Sequence, residues 1–323
     1  MRTGLALVAA AALAAVGPWG RALAAPPAPA TFSIVAADPA AGEVGVAVAS
    51  RFFAVGAVVP YARAGAGAVA TQANANVSFG PCGLELLGLG LTPEEALKVL
   101  RRGDSVNSRQ IGIVSASGAS ATSTGPGCNA WAGGRSGPGY AVQGNILAGE
   151  QVVAAMEASF LASAGKPLGE RLLAALKAGD DAGGDSRGHQ SAAILVCRAG
   201  GGYNGFGDRA IDVRVDDHPE PMKEIARLLG MALVNDDWNR GWTAFTQKRF
   251  AEALKWQERA AARAESQPGM LPEVTYDLAV IRLANGDRAG ALAAVRRAIQ
   301  LNPKLAQQAR VDNDLTALRD ELR

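Results

Sequence analysis

Thr31 is the residue whose chemistry depends most on where the chain is cut. It stands between an export-type segment and the first strand-like run, in Ala-Pro-Ala-Thr-Phe-Ser-Ile-Val-Ala. Removing everything before it would leave a hydroxyl and a free α-amine on one residue. An α-amine has a pKa of about 7.7–8.0, so near neutral pH part of it is unprotonated and can act as a general base. A Thr hydroxyl activated by its own amine is an established nucleophile. Other polar groups stand where strands end: Ser50-Arg51, Thr71-Gln72-Ala73-Asn74, Asp185-Ser186-Arg187 and Gln190-Ser191. Taken singly, each also suits a solvated loop or a cap.

The elements that must position these groups begin after residue 30. Arg2 followed by the apolar run from Leu5 to Val16 and by small residues up to Ala30 has the pattern of a secretory signal. Its apolar core is too short for a stable transmembrane span. Cleavage after Ala24 leaves Ala25-Pro26-Pro27 in front, whereas cleavage after Ala30 exposes Thr31 directly. Both remain open. The implied location is periplasmic or secreted.

From Thr31 to about residue 220 short strand-like runs alternate with helical ones. Phe32 to Ala37 and Val44 to Ser50 flank a hairpin loop, and Ala57 to Tyr61 and Gly67 to Thr71 continue the strand pattern. Gly83 to Leu91 is expected to be helical. Thr92-Pro93-Glu94-Glu95 opens a further helix with a capping box, running to Arg102 and stopping at Gly103. Gln110 to Ser115 and Ala119 to Thr124 form a second expected hairpin, Gly125 to Gly139 an irregular glycine-rich stretch, and Tyr140 to Gln143 a strand. Helices over Gly149 to Ala164 and Leu168 to Ala178, a loop over Gly179 to Gly188, and strands over Ser191 to Cys197 and Arg209 to Val215 complete this part. Hairpins followed by helices fit a mixed α/β, or α+β, architecture better than a doubly wound parallel sheet.

Beyond about residue 221 strand signals vanish. Ala253-Leu254 and Ala260 match Ala291-Leu292 and Ala298 at a period of about 38, each copy following a polar turn. This resembles tetratricopeptide helix pairs lengthened by a few residues, although a plain helical extension reads equally well. Two such pairs rarely stand alone, so the tail is expected to pack on the rest of the chain, on a second copy or on another protein.

Composition narrows the function classes. The 323 residues are 49% hydrophobic and carry a net charge of +2, so neither nucleic acid nor a membrane surface is an expected partner after signal cleavage. Three cysteines, Cys82, Cys128 and Cys197, are too few for a disulfide framework or a zinc site. Two of them could pair in an oxidising compartment, or all three could be buried small apolar residues. With only His189 and His218, a histidine-based metal site is not expected, and nothing calls for a cofactor.

Five blocks taken together are more specific. They are Thr-Phe-Ser-Ile-Val-Ala from Thr31, Val-Gly-Val-Ala-Val-Ala-Ser-Arg-Phe-Phe-Ala-Val-Gly from Val44, Gly-Ala-Val-Ala-Thr-Gln-Ala from Gly67, Gly-Tyr-Ala-Val-Gln-Gly-Asn-Ile-Leu-Ala-Gly from Gly139 and Gly-Gly-Asp-Ser-Arg-Gly-His-Gln-Ser-Ala-Ala from Gly183. In this order they resemble the bacterial family called domain of unknown function 1028, over about residues 31 to 220. The resemblance implies an N-terminal-nucleophile (Ntn) hydrolase fold, a four-layer αββα sandwich of two antiparallel sheets between helix layers, followed here by the all-α tail. It assigns Thr31 as nucleophile and sets Ser50 and Arg51 close to it. It also assigns Arg63 as a basic residue favouring the neutral amine, and Asn74 as an oxyanion donor. Many members carry His before Thr-Gly where this chain has Ser123, which argues against essential histidine chemistry there.

Three functions compete. An exported amidohydrolase would use Thr31, Arg51, Arg63 and Asn74 in catalysis, with Ser50, Gln72, Asp185, Arg187, Gln190 and Ser191 binding a small amide or peptide. A non-catalytic periplasmic binding protein on the same scaffold would present the glycine-rich loop and the tail to a partner. An autoprocessing structural protein without an external substrate is the third.

Overall fold

The computed structural model describes residues 31–322. The expected export segment, residues 1–30, lies outside them. Two antiparallel sheets form the centre. One has six strands in the order β10-β9-β2-β1-β8-β7, namely Arg209–Val215, Ser191–Arg198, Glu43–Ser50, Thr31–Asp38, Tyr140–Asn145 and Gly133–Gly137. The other, β3-β4-β5-β6, comprises Pro60–Arg63, Gly67–Ala73, Arg109–Ser115 and Ser120–Thr124. Thr31 thus opens a strand flanked on both sides, with Phe32 opposite Ala49 on β2 and Thr31 opposite Asn145 on β8.

Strand periodicity sorts the core. Phe32, Ile34 and Ala36 point to one face of β1, where Ala47, Ala49 and Ile194 join residues of α3 (Glu150–Ala162), α4 (Leu168–Asp181) and the start of α5 (Pro221–Thr246). Val35 and Ala37 point the other way, into a core shared by both sheets through Val46, Val48, Ala68, Ala70 and Val114. The outer face of the four-stranded sheet, with Val69, Ile111 and Ile113, packs on α1 (Phe79–Gly88) and α2 (Pro93–Arg101).

Helix α2 shows how local chemistry sets an element. The Thr92 hydroxyl accepts from the Glu95 amide at 3.3 Å, and the Glu95 carboxylate accepts from the Thr92 amide at 2.9 Å. These hydrogen bonds hold the Glu95 carboxyl below its usual range. Pro93 takes the first helical position, where a missing N–H is harmless.

Several expected boundaries move. Val55–Ala57 is a 3-10 turn and the strand is Pro60–Arg63, because Gly56 crosses β9 so closely that a Cβ would lie 2.7 Å from that of Ala193. The glycine-rich stretch is not wholly irregular, since Gly133–Gly137 pairs with β8 as an edge strand. Such a ladder needs backbone groups rather than an apolar face, so hydropathy gave no signal. Helix α1 starts at Phe79 rather than Gly83, and α4 continues to Asp181. All three cysteines are free among the described residues, and only Cys197 is buried.

The tail is helical: α5 is followed by α6 (Phe250–Ala264), α7 (Leu271–Ala284), α8 (Arg288–Leu301), α9 (Leu305–Val311) and a 3-10 stretch, Thr316–Leu322. The sequence period maps onto two helix pairs. Lys248 (φ 61°) and Gly286 (φ 88°) occupy the same left-handed position in the two turns. Ala253, Ala260, Ala291 and Ala298 are all fully buried. Helix α5 is tied to the sheet by Arg198, which bonds Glu43 at 2.7 Å and Asp236 at 2.7 Å. Further along, Asp277 accepts the indole N–H groups of Trp238 at 2.7 Å and Trp242 at 2.5 Å on a single oxygen.

Burial is the main reason why the Asp277 carboxyl is raised to about 6, the indole bonds opposing it. A folded-state pKa above the unfolded one means that the native state binds the extra proton, so this group lowers stability as pH rises from about 4 to 6. Asp277→Asn keeps one oxygen for both indoles and removes the buried charge. It is expected to raise unfolding free energy by about 2 kcal/mol at pH 7.5, with little change at pH 4. Urea unfolding at the two pH values checks this, and an equal effect at both would count against it.

Candidate active site

The strands that feed the shared core change character at one end. On β1 the inward positions run from Val35 through Ser33 to Thr31, and on β4 from Ala68 and Ala70 to Gln72. β5 runs from Val114 to Gln110, β8 from Ala141 through Gln143 to Asn145, β2 from Val48 to Ser50 and β9 from Ala193 to Ser191. Register aligns these polar ends: Thr31 with Asn145, Ser33 with Gln143, Ser50 with Ser191 and Gln72 with Gln110. All eight residues are buried.

Their hydrogen bonds run in one direction. Gln143 Nε2 donates to Ser33 Oγ at 2.7 Å, and Ser33 Oγ donates to Gln72 Oε1 at 2.6 Å. Gln72 Nε2 then donates to the Thr31 carbonyl at 3.2 Å and to Gln110 Oε1 at 2.8 Å. Asn145 Nδ2 reaches the same two acceptors, at 3.5 and 3.0 Å. Gln110 Nε2 serves Gly144 O at 2.7 Å and Thr124 Oγ1 at 2.9 Å. Because Ser33 has one hydroxyl proton to give, each amide orientation follows from the chain. Gly112 makes room, since a Cβ there would lie 2.1 Å from Gln143 Oε1. That oxygen is buried without a partner.

Thr31 is therefore held at two points. Its carbonyl accepts from two amides and its hydroxyl donates to Ser50 Oγ at 3.2 Å. Those partners are uncharged. Its side of the network opens on a cavity of about 450 Å³, which Thr31, Gln72, Asn74 and Asn145 share with Phe52 and Val59.

The rim is conformationally strained. Ala54, Ala73 and Ile146 have φ of 52°, 64° and 52°. Ala73 and Ile146 line the cavity, and Ala54 lies between the lining residues Phe52 and Val55. A β-branched residue in this region is a genuine outlier, and such strain gathers at functional sites. Ile146 is held by its amide on Asn129 O at 3.0 Å and by its carbonyl, which accepts from Ser186 N at 3.1 Å and Ser186 Oγ at 2.9 Å.

The sequence-derived residues divide into three groups. Thr31, Ser50, Gln72 and Asn74 come together, the last with its carbonyl accepting from Arg109 Nη1 at 2.5 Å. Arg51, Asp185, Arg187 and Ser191 brace the chain leaving Ser50. Asp185 accepts from the Arg51 amide at 2.7 Å and pairs with Arg187 at 2.8 Å, and Ser191 Oγ donates to Phe52 O at 2.5 Å. The Arg51 guanidinium donates to the Arg187 carbonyl, so it does not serve the Thr31 hydroxyl.

Arg63 and Gln190 are not part of the cluster. Arg63 pairs with Glu85 at 2.6 Å and donates to Leu84 O. It stands opposite Gly67, at the far end of β4 from Gln72, roughly 17 Å of strand away at about 3.4 Å per residue. Gln190 donates to Asp217 instead. The expected basic residue beside the nucleophile is thus absent from the described residues' contacts with Thr31, because the β3–β4 hairpin places Arg63 at its turn, the end of the sheet opposite Gln72.

Ser33, Gln110, Gln143 and Asn145 escaped the sequence reading. Their signal was a polar residue two positions from an apolar one on the same strand face, as in Ala141-Val142-Gln143-Gly144-Asn145. Cys128 also lines the cavity, but burial pushes its thiol up, which keeps it protonated and poorly nucleophilic near neutral pH. No group of three or more His, Cys, Asp or Glu among the described residues is arranged to hold a metal ion.

Residues 31–225 match the DUF1028 family, described as a family of unknown function. The crystal structure of protein SPO2555 from Silicibacter pomeroyi, also assigned to DUF1028, is 31% identical to this chain. The match covers 65% of this chain and 90% of that one, with a TM-score of 0.59. No curated protein matches the chain.

Gln110→Leu keeps the volume but strips donors from Gly144 O and Thr124 Oγ1 and the shared acceptor from Gln72 and Asn145. It is expected to lower unfolding free energy by about 3 kcal/mol, since each buried polar group left unpaired costs about 1–3 kcal/mol. Asn129→Ala, on the exposed rim, should stay within about 0.5 kcal/mol of the parent. Denaturant unfolding compares the two, and equal losses would show that the network is not the stabilising element described here.

Proposed function

The chain belongs to the DUF1028 family, and on that premise we propose that it is an exported amidohydrolase of the N-terminal-nucleophile type. Thr31, exposed as the first residue once 1–30 are removed, is the nucleophile. The observation that carries this reading is the setting of Thr31. It is the first residue of a central strand, fixed through its carbonyl and hydroxyl by neutral groups, and it faces a strained cavity.

The reaction follows from those groups. The α-amine takes the proton from Oγ1 as the oxygen attacks an amide carbonyl. The ammonium returns that proton to the departing nitrogen, the C–N bond breaks, and an ester on Thr31 remains. A water molecule, deprotonated by the same amine, attacks the ester and releases the acid, while Oγ1 regains its proton. Asn74 and Asn129, on the cavity wall, supply amides for the developing oxyanion. Burial disfavours the charged amine and so keeps it available as a base, a role for which Thr31 has no charged partner among the described residues.

Several finer features belong to this proposal. Packing of α1 and α2 on the four-stranded sheet, of the two sheets on a shared core, and of α3 and α4 on the six-stranded sheet supports reading residues 31–220 as an αββα sandwich of the Ntn type. The two helix pairs with matching left-handed turns support a tetratricopeptide-like unit over 221–323, suited to pairing with a second copy or another protein. Periplasmic or secreted location follows from the export pattern, and small amides or peptides are the substrates.

Thr31→Ala should lower kcat/KM by at least about a thousandfold, and Thr31→Ser should retain measurable turnover because hydroxyl and amine both survive. Activity should rise with pH through roughly 7–8 or somewhat lower as the amine loses its proton. An uncleavable extension before Thr31 should abolish turnover, since an amide nitrogen is no base. Amide hydrolysis assays on protein whose N-terminus has been fixed by mass spectrometry check all three. Full activity of the extended form would refute the mechanism.

A further inference from the structure

The cavity at Thr31 has two unlike walls. Phe52, Val55, Val58 and Val59 come from the single segment joining β2 to β3 and make one side apolar. The polar part of the lining is made by the amides of Gln72, Asn74, Asn129 and Asn145 and the hydroxyl of Ser108. No charged side chain lines the cavity among the described residues. Two cations that adjoin lining residues in sequence are engaged: Arg109 with Asp104 at 2.9 Å and with the Asn74 carbonyl and Oδ1, and Arg51 with the Arg187 carbonyl. Its volume of about 450 Å³ lies within the range of about 300–1,000 Å³ typical of small-molecule sites.

We infer that the substrate is an amide with an uncharged aliphatic or aromatic acyl group, seated on the 52–59 wall. Its polar amide is turned to the carboxamide wall. This rests on the hydrolase reading for its chemistry, but not for its binding preference. An ionised carboxylate or ammonium entering the cavity would give up water for no side chain of opposite charge, the terminal amine being the neutral base of the hydrolase reading, whereas an alkyl or aryl group replaces water along Val55 and Val59. The N–H groups of Gln72 and Asn145 are spent on the Thr31 carbonyl and Gln110, so the donors for the substrate C=O come from the Asn74 and Asn129 carboxamides, and Asn145 Oδ1 is placed to accept its N–H. Phe52, 39% exposed at the rim, is the specificity-determining residue open to change without disturbing the core.

The test uses the full chain with its N-terminus at residue 31 and carrying Thr31→Ala, and three amides of matched length: hexanamide, 6-aminohexanamide and adipic acid monoamide. Calorimetry should show hexanamide binding at least tenfold more tightly than either charged analogue. Phe52→Lys in the same background should improve the monoamide of adipic acid at least fivefold relative to hexanamide. Equal or tighter binding of a charged analogue, or no saturable binding of any of the three, overturns the inference. Hydrolysis of the same amides by the processed parent is followed in parallel. The expected binding order without Thr31-dependent hydrolysis would sink the catalytic reading alone. Hydrolysis that favours a charged amide would sink the inference alone.

Discussion

Gln110 accepts amide protons from Gln72 and Asn145 and donates to Gly144 O, all out of contact with water, and also to the half-buried Thr124 hydroxyl. A buried carboxamide short of partners is costly, each unmet group removing about 1–3 kcal/mol from a net stability of about 5–15 kcal/mol, and within the Thr31 network Gln143 Oε1 is the one carboxamide oxygen left unmet. The strands around it are therefore committed to one register. A slip of one residue would turn Gln72, Gln143 and Ser33 to the opposite sheet face, into the helix-packed cores that hold Phe32, Ile34 and Ile111. The same bonds fix Thr31, so stability of the sheets and position of the candidate nucleophile are one constraint.

That constraint explains why strain can persist at the rim. Ala73 leaves β4 one residue after Gln72, and Ile146 leaves β8 one residue after Asn145. Both strands must be broken at once after their network residue, and left-handed backbone accomplishes that within a single step. Ser186 and Asn129 clamp Ile146 in place, while the Asp185–Arg187 pair braces the chain after Ser50. Charged residues thus serve the scaffold, and the cavity itself keeps to neutral groups.

The helical tail is anchored differently. Arg198 on β9 ties Glu43 on β2 to Asp236 on α5, a bridge in which burial raises both carboxyls while the guanidinium opposes it. Apolar residues at the start of α5, Met222, Ile225 and Leu229, extend the core beneath the six-stranded sheet. Later helices pack mainly on one another through small buried alanines. The family match ends inside α5, so the part of the tail that bears on the sheet is also the part nearest the family's own boundary.

Local sequence carried much of the architecture. Alternation in Phe32-Ser33-Ile34-Val35, the Thr92 to Glu95 capping box and the repeat of Ala253 in Ala291 each reflect a rule spanning a few residues or one helix pair, and each element stands where its pattern lies. Patterns without a hydropathy signal did not announce themselves: the edge strand Gly133–Gly137 depends on backbone pairing, and the 3-10 turn at Val55 on the close approach of Gly56 to β9. The site was legible as a set of polar strand ends, with Thr31, Ser50, Gln72 and Asn74 among them. What only tertiary structure decided was which ends meet. Arg63 and Gln72 both lie on the β3–β4 hairpin, yet antiparallel pairing sends one to each end of the sheet. Gln110, Gln143 and Asn145 join Thr31 because the two sheets stack with their polar ends aligned, a relation between distant strands that no short-range period encodes.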